Sequence, residues 1–341
     1  MRILVLGGTR FVGRHVVDAA LARGHDVTIF NRGRTGHSWR DRVRELIGDR
    51  DPATAPGLAS LRGHEFEAVI DTSGYVPRVV GASASMLADR MRRYIFVSSL
   101  SVLRSASVPG LDESAPLCVL DEPGSEDVPK HYGALKAACE VTVKNALGDH
   151  ATIVRPGLIV GPFDATDRFG YWVARFAYPS LLGDRSERAV VPAPRERPLQ
   201  FIDARDLAAF MLDLAERDVA GTFNASTPAG HWTMGDVVDA CRSIAADAPE
   251  PAWIADEVLL AHHVEPWIGL PLWIPASQAD NAGFMMIDCN KARDAGLHAR
   301  PLADTISDTA VWLSMRDNRD AWKHVIDVAH ERAILAQCGE R

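Results

Sequence analysis

A phenol and an ammonium group lie four positions apart in the segment 132–136, whose sequence is YGALK. Side chains at this spacing share one face of a helix, so Tyr132 and Lys136 are predicted to point the same way. A tyrosine has a pKa near 10, and proton transfer at neutral pH requires a shift of ~3 units, or about 4 kcal/mol. A nearby cation stabilises the phenolate. The pair is therefore a candidate for moving a proton to or from a substrate oxygen.

A hydroxyl group is predicted to reach the same place from a neighbouring strand. The apolar run 94–97 indicates a buried strand, which ends in the sequence SSLS at positions 98–101. In open α/β sheets, ligands bind at the carboxyl ends of the strands. Ser99 is thus a candidate to hydrogen-bond the substrate oxygen whose charge changes during reaction. The alternative is an ordinary amphipathic helix that follows a serine-rich turn.

The elements that must position these groups alternate along the chain. A strand at 2–6, a helix at 11–22 and a strand at 26–30 form one right-handed crossover. Further strands are predicted at 68–71, 94–98 and 152–155, separated by helices at 80–91 and 132–146. The pattern predicts an α/β fold of the Rossmann type, a doubly wound parallel sheet with a smaller carboxyl-terminal substrate lobe.

The amino-acid composition changes after Gly161, and the stretch 162–198 is rich in aromatic residues, proline and arginine. A strand at 200–203, a helix at 206–216 and a strand at 221–225 are predicted to return to the sheet, and helices at 233–246 and 302–316 to complete the lobe. The predicted division assigns 1–164 and 196–227 to a Rossmann domain, 165–195 and 228–318 to a substrate-binding lobe, and 319–341 to a helical tail. The segment 104–130 is a candidate lid.

The loop between the first strand and helix, GGTRFVG at 7–13, has the context of a phosphate-binding turn. Gly7 permits a sharp turn, Gly13 permits close packing of helix and strand, and the helix amino terminus offers free N–H groups to a pyrophosphate. This predicts a dinucleotide site; a plain turn is the alternative. The predicted cofactor-binding residues are Gly7, Thr9, Arg10, Phe11, Val12, Gly13, Asn31, Arg32, Arg34, Asp49, Ser73, Tyr132, Lys136 and Pro156.

The charge at the end of the second strand favours one dinucleotide. NAD-binding units normally carry a carboxylate there for the adenosine ribose, whereas this chain has Asn31, Arg32 and Arg34. Guanidinium groups bind a 2′-phosphate, which a carboxylate would repel, and Arg10 adds a third cation. We therefore expect NADP(H), with NAD(H) possible. Asp49 is placed to accept from the adenine amine. The alternative is that these arginines are solvated loop charges.

Composition excludes several classes of protein. The chain has 341 residues, 47% of them hydrophobic, and a net charge of −8, so nucleic acid is a poor default partner. No apolar run approaches the ~20 residues of a membrane helix, and the first five residues indicate a strand rather than a signal peptide. The five cysteines are scattered without a CxxC motif, and no histidine has a metal-ligand spacing. We expect a cytoplasmic protein without a metal or a membrane partner.

The motifs GGTRFVG, VSSLS, YGALK, RPGLIVGP and QFIDARDLA together resemble the extended or atypical short-chain dehydrogenases/reductases of the NAD-dependent epimerase/dehydratase type. The resemblance implies that Ser99, Tyr132 and Lys136 are catalytic, with Lys136 anchoring the nicotinamide ribose and lowering the tyrosine pKa. It also implies cofactor contacts from Ser73 and Pro156, and a homodimer formed by the outer faces of the helices at 80–91 and 132–146.

Differences from the family pattern argue against some of the reactions and substrates known in the family. Nucleotide-sugar dehydratases carry an Asp-Glu pair where this chain has Leu100 and Ser101, which argues against elimination of water. Leu158 and Leu199 replace an asparagine and an arginine that are usual in nucleotide-sugar enzymes, although Arg168, Arg195 and Arg197 are near in sequence and able to compensate.

The leading hypothesis is an NADP(H)-dependent oxidoreductase that interconverts a ketone and a secondary alcohol on a small, fairly apolar molecule. Two alternatives stay open: a nucleotide-sugar or other epimerase with tightly bound dinucleotide, and a non-catalytic regulatory or RNA-associated protein on the same fold.

Overall fold

Strands and helices alternate along the first half of the chain, as the sequence predicts. The computed structural model describes residues 1–183, 186–316 and 322–339. Its strands are β1 (Arg2–Leu6), β2 (Asp26–Asn31), β3 (Val43–Ile47), β4 (Ala68–Asp71), β5 (Arg93–Val97), β6 (Ala151–Pro156), β7 (Leu158–Val160), β8 (Arg188–Pro192), β9 (Pro198–Leu199), β10 (Phe201–Asp203), β11 (Gly221–Ala225), β12 (Trp232–Thr233) and β13 (Glu250–Ile254). Its α-helices are α1 (Phe11–Ala22), α2 (Pro77–Leu87), α3 (Val128–Leu147), α4 (Arg168–Ala177), α5 (Ala204–Glu216), α6 (Met234–Arg242), α7 (Asp256–Ala261), α8 (Asn290–Asp294), α9 (Leu302–Ser314) and α10 (Val328–Gly339).

The central sheet has seven strands in the order β11-β6-β5-β4-β1-β2-β3, and every pair is parallel. Successive residues of β1 point to opposite faces of the sheet. Ile3 and Val5 join the core that includes residues of α1 and α5, whereas Leu4 and Leu6 join the core that includes residues of α2 and α3. Helices therefore cover both faces, which confirms the predicted Rossmann-type fold.

One predicted strand does not join this sheet. β10 pairs only with β7, in a separate parallel pair, although the sequence predicts that the segment 200–203 returns to the central sheet. The reason lies in the bend after β6. Gly157 donates its N–H to Ala225 O at 3.1 Å, so the chain leaves the sheet there and β7 runs apart from β6. β11 does pair with β6 and closes the sheet edge, as predicted.

The second core lies in the carboxyl-terminal half. It is built from buried residues of α4, α6 and α9 together with the parallel pair β8–β13. Ile326 and Ile334 from the chain's last segment belong to the same core, so this segment packs into the lobe instead of forming a separate tail. The predicted helical tail over 319–341 contains α10, and positions 319–321 and 340–341 of that prediction lie outside the described residues. Within the described ranges, no helix has the length and apolar character needed to cross a membrane.

A buried ion pair fixes α3 against the strands that carry the candidate site. Arg155 on β6 donates to Glu140 on α3 through Nε at 2.9 Å and Nη2 at 2.7 Å. The Ser98 hydroxyl, just after β5, donates to Oε1 of the same carboxylate at 2.6 Å. Glu140 and Arg155 are 1% and 2% exposed, so removal of either partner leaves a buried charge without its counterion.

We predict that Glu140→Gln lowers the free energy of unfolding by about 3 to 5 kcal/mol, because it leaves the buried Arg155 charge without its counterion. Urea denaturation monitored by circular dichroism measures this. Lys144→Gln, on the exposed side of α3, is the matched control and should change stability by less than about 0.5 kcal/mol. Equal effects of the two substitutions would contradict the assignment.

Candidate active site

A cavity of about 730 Å³ opens at the carboxyl ends of β1, β2, β3 and β4. It gathers Gly7, Thr9, Arg10, Phe11, Val12, Gly13, Asn31, Arg32, Arg34, Asp49 and Ser73 from the sequence-predicted cofactor site, and adds Gly8, Phe30, Thr35, Gly48, Arg50, Thr72 and Tyr75. Pro156, Tyr132 and Lys136 are not among its lining residues. Pro156 is buried at the end of β6, beside β11.

The glycine loop has room for backbone only. Gly7 has φ +107°, and a Cβ placed there would lie 2.7 Å from Thr72 Oγ1. A Cβ at Gly13 would lie 2.6 Å from the backbone nitrogen of Gly8. The first turn of α1 therefore faces the cavity without intervening side chains at these positions, which fits the close approach of a pyrophosphate to the helix amino terminus.

Three arginines line this cavity near the end of β2 and the glycine loop. Arg10, Arg32 and Arg34 are all exposed, and none of their side chains makes a hydrogen bond or ion pair with the part of the chain that the structure describes. The nearby acidic residue Glu45 accepts from Asn31 Nδ2 at 2.8 Å and lies 3.5 Å from His37 Nε2. The guanidinium groups are thus available to an anionic ligand, as a 2′-phosphate requires.

Arg50 is a cavity residue that the sequence analysis missed. Its guanidinium forms a two-pronged pair with Asp71, at 2.6 and 2.7 Å, and also donates to Ser83 Oγ at 2.8 Å. Tyr94 donates its hydroxyl to the same Asp71 carboxylate at 2.8 Å. The position directly after Asp49 was the available signal, but only the fold shows that β4 supplies a counterion for it.

Tyr132 lies near the far end of the cavity, where its ring centroid is 6.5 Å from that of the cavity residue Tyr75. A kink at His131 precedes it in α3. Burial raises the pKa of Tyr132, whereas a hydrogen bond with Ser99 and the positive charge of Arg168 lower it. The predicted partners Ser99 and Tyr132 are therefore brought together, and the cation that acts on the phenol comes from the lobe.

Lys136 is placed differently from the sequence expectation. Its ammonium donates to Val97 O at 2.6 Å and Gly74 O at 2.7 Å, beneath the rings of Tyr75 and Phe96 at 5.0 and 4.6 Å. The side chain is 3% exposed, and burial lowers its pKa to about 8. Its charge is engaged by these carbonyl oxygens and aromatic faces.

Backbone hydrogen bonds attach the first half of the candidate lid, 104–130, to the lobe. Ala106 N–H donates to Asp280 O at 3.0 Å, Gly110 N–H to Met286 O at 2.7 Å, and Asp288 N–H to Leu111 O at 2.9 Å. This half is thus attached to the stretch 280–288 of the lobe. Val119, in its second half, is 65% exposed.

No cluster of three metal-ligating side chains occurs among the residues with assigned positions.

Comparison with known proteins assigns this arrangement to a family. The profile of the NAD dependent epimerase/dehydratase family matches residues 3–226, which contain the glycine loop, Ser99, Tyr132 and Lys136. The chain belongs to this family. That finding confirms the resemblance carried by the five sequence motifs.

The proteins similar to this chain have names that describe different functions. The chain is 28% identical over 268 residues to the chloroplast stem-loop binding protein of 41 kDa b from Arabidopsis thaliana, covering 73% of this chain and 64% of that protein's length. Two solved structures have a similar fold. UDP-glucuronic acid 4-epimerase from Bacillus cereus, in complex with NAD, is 15% identical with a TM-score of 0.65, covering 95% of this chain and 100% of the epimerase. UDP-glucose 4-epimerase from Thermotoga maritima, with UDP-glucose, is 16% identical with a TM-score of 0.64, covering 92% and 99%.

The lowered pKa of Lys136 predicts a pH dependence of stability. Between about pH 8 and 10.5 the folded state has released this proton while the unfolded chain still holds it, so stability rises with pH in this window. The rise is about 3 kcal/mol at most. Wild-type protein should gain this increment relative to Lys136→Met in urea denaturation at successive pH values. Lys144 is exposed on the same helix, so Lys144→Met should show the same pH dependence of stability as wild type. If stability varies with pH in the same way in wild type and Lys136→Met, the burial of a charged lysine is contradicted.

Proposed function

We propose that this protein is an NADP(H)-dependent oxidoreductase that interconverts a ketone and a secondary alcohol on a small molecule. The observation that carries the proposal is that Tyr132, on whose phenol Ser99 acts, lies beside Tyr75 of a cavity that also gathers Arg10, Arg32 and Arg34. The glycine loop would hold the phosphates of a dinucleotide, and Arg10, Arg32 and Arg34 would hold a 2′-phosphate.

A nicotinamide dinucleotide, when bound, supplies the hydride acceptor or donor. The protein's own groups manage the proton and the substrate oxygen. Ser99 holds the oxygen, and Tyr132 exchanges a proton with it; Ser99 already acts on this phenol by lowering its pKa. The chain thus retains the two polar groups needed at the reacting carbon, while Leu100 and Ser101 supply no acid or base for elimination of water.

Replacing Tyr132 by phenylalanine tests the proton-transfer role. We expect Tyr132→Phe to fold and to bind dinucleotide, but to reduce kcat by about 10²- to 10⁴-fold in a carbonyl-reductase assay that follows NADPH absorbance. Tyr178→Phe, at the edge of the lobe core, is the matched control. Full activity of Tyr132→Phe together with loss in Tyr75→Phe would transfer the role to Tyr75.

The free arginines predict selectivity between the two dinucleotides. We expect Arg32→Ala/Arg34→Ala to raise the Kd for NADP⁺ by about 10- to 100-fold, the equivalent of the lost charge-assisted hydrogen bonds, and to change the Kd for NAD⁺ little. Isothermal titration calorimetry measures both constants. Arg44→Ala, an exposed arginine on β3 outside the cavity lining, is the control. Parallel losses for both dinucleotides would show that the arginines do not recognise the 2′-phosphate.

An epimerase shares the same half-reaction but returns the hydride to its substrate, so it must keep its dinucleotide. The named activities of the two solved structures favour this alternative. Leu158 and Leu199 count against a sugar diphosphate, because Leu199 is buried in the lobe core and offers no polar group. Stoichiometric dinucleotide after gel filtration supports an epimerase, whereas an empty site that NADPH refills supports a reductase.

Binding of a nucleic-acid stem-loop is a second candidate, favoured by the name of the Arabidopsis relative. The three free arginines at the cavity would suit phosphate groups in either role. A stem-loop RNA that binds at physiological salt, and that NADP⁺ displaces, would support this candidate and place the RNA at the same arginines. Binding that disappears at physiological salt would leave the oxidoreductase proposal as the better account.

A further inference from the structure

Arg168, the first residue of α4, is a half-buried cation without a partner. Its Nε is fully shielded from solvent and has no hydrogen bond, and its guanidinium forms no ion pair within the described ranges. The carbon at the centre of the guanidinium lies 5.8 Å from the Trp267 ring centroid. Among the described residues, this partly desolvated charge has no hydrogen-bonded counterion to offset its desolvation, which is unusual for a purely structural arginine.

Other buried arginines of the same chain show the contrast. Arg50 is paired with Asp71, Arg155 with Glu140 and Arg175 with Glu331, each through a carboxylate within 3.2 Å. The carboxylate whose charge acts on Arg168 is that of Asp164. Its oxygens, however, accept hydrogen bonds from the N–H and the hydroxyl of Thr166. Burial also raises the pKa of Asp164.

The loop before Arg168 is held in a fixed shape. Asp167 has φ +65°, in the left-handed region, and its carboxylate accepts from Arg316 Nη1 at 2.6 Å and from Lys323 N–H at 2.9 Å. Thr166 O contacts His324 Nδ1 at 2.5 Å. The carboxyl-terminal segment thus fixes the start of α4, so the guanidinium is positioned before any ligand arrives.

We propose that Arg168 is the anion-binding residue of the substrate site, and that the substrate carries a carboxylate or phosphoryl group close to its reacting carbon. This rests on the proposed function, because Arg168 acts electrostatically on the same phenol that hydrogen-bonds Ser99. A bound anion would receive the unused donors of the guanidinium and would stand beside the phenol. The expectation of a fairly apolar substrate is thereby revised to one with an acidic group.

The first experiment needs neither substrate nor dinucleotide. Protein labelled with ¹³Cζ-tyrosine gives one resonance per ring, and Tyr132→Phe identifies the resonance of Tyr132. Inorganic phosphate or acetate, added to wild type, should raise the pKa of Tyr132 by neutralising Arg168. The same additions to Arg168→Gln should have no effect, while Arg62→Gln, an exposed arginine elsewhere, should behave as wild type. Equal responses of wild type and Arg168→Gln would overturn the proposal.

The second experiment compares matched carbonyl compounds with NADPH. 2-Oxobutanoate against butanone tests a carboxylate, and dihydroxyacetone phosphate against dihydroxyacetone tests a phosphoryl group. Arg168→Gln should lower kcat/KM for the preferred anionic compound by about 10- to 100-fold more than for its neutral partner, with partial rescue by Arg168→Lys. Equal losses for both members of a pair would show that Arg168 only tunes Tyr132 and would overturn the proposal. Anion titration through Arg168 without turnover of any carbonyl would reject the oxidoreductase function and retain the anion site.

Discussion

The position of α3 on the sheet depends on the ion pair between Glu140 and Arg155, which is shielded from water on all sides. Tyr132, Lys136 and Glu140 follow one another at intervals of four on the same helix, so fixing the last of them sets the rotation of the other two. The carboxylate of Glu140 also accepts from Ser98, the neighbour of Ser99. A single buried carboxylate therefore ties the helix of the phenol to the strand end of the serine, although neither charged residue belongs to the cavity lining.

Close packing complements this electrostatic constraint. A Cβ at Gly133 would collide with the carbonyl oxygen of Ser101, so α3 approaches the turn after β5 as closely as a backbone can. This approach places Tyr132, the neighbour of Gly133, close enough to Ser99 for that residue to lower the pKa of the phenol. One turn further along α3, the buried Lys136 ammonium bonds to the carbonyl oxygens of Gly74 and Val97 and so joins the helix to the loop after β4 and to the end of β5.

The sequence predicts most of the sheet because its signals are local. The bounds of β1, α1, β4 and β11 agree with the predicted ranges, since each run of apolar residues has a clear period or a glycine at its edge. The environments of Arg50, Tyr75 and Arg168 could not be predicted in this way. Each depends on residues distant in sequence: Asp71 pairs with Arg50, Lys136 lies under Tyr75, and Arg168 acts on Tyr132. The departure of β10 from the sheet likewise follows from a bend whose hydrogen bond is formed with β11.

The two halves of the chain meet at the reactive phenol. α3 is anchored in the sheet domain, whereas Arg168 is the first residue of a helix whose other side is buried in the lobe core. Glu331 of α10 accepts from Arg175 of α4 and from Val190 N–H of β8, so the last helix holds α4 to the lobe. Since a charge interaction weakens with distance, any change in how α4 sits on the lobe alters the field at Tyr132. Burial raises the pKa of this phenol and Arg168 lowers it, so the segments that fix α3 and α4 both act on Tyr132.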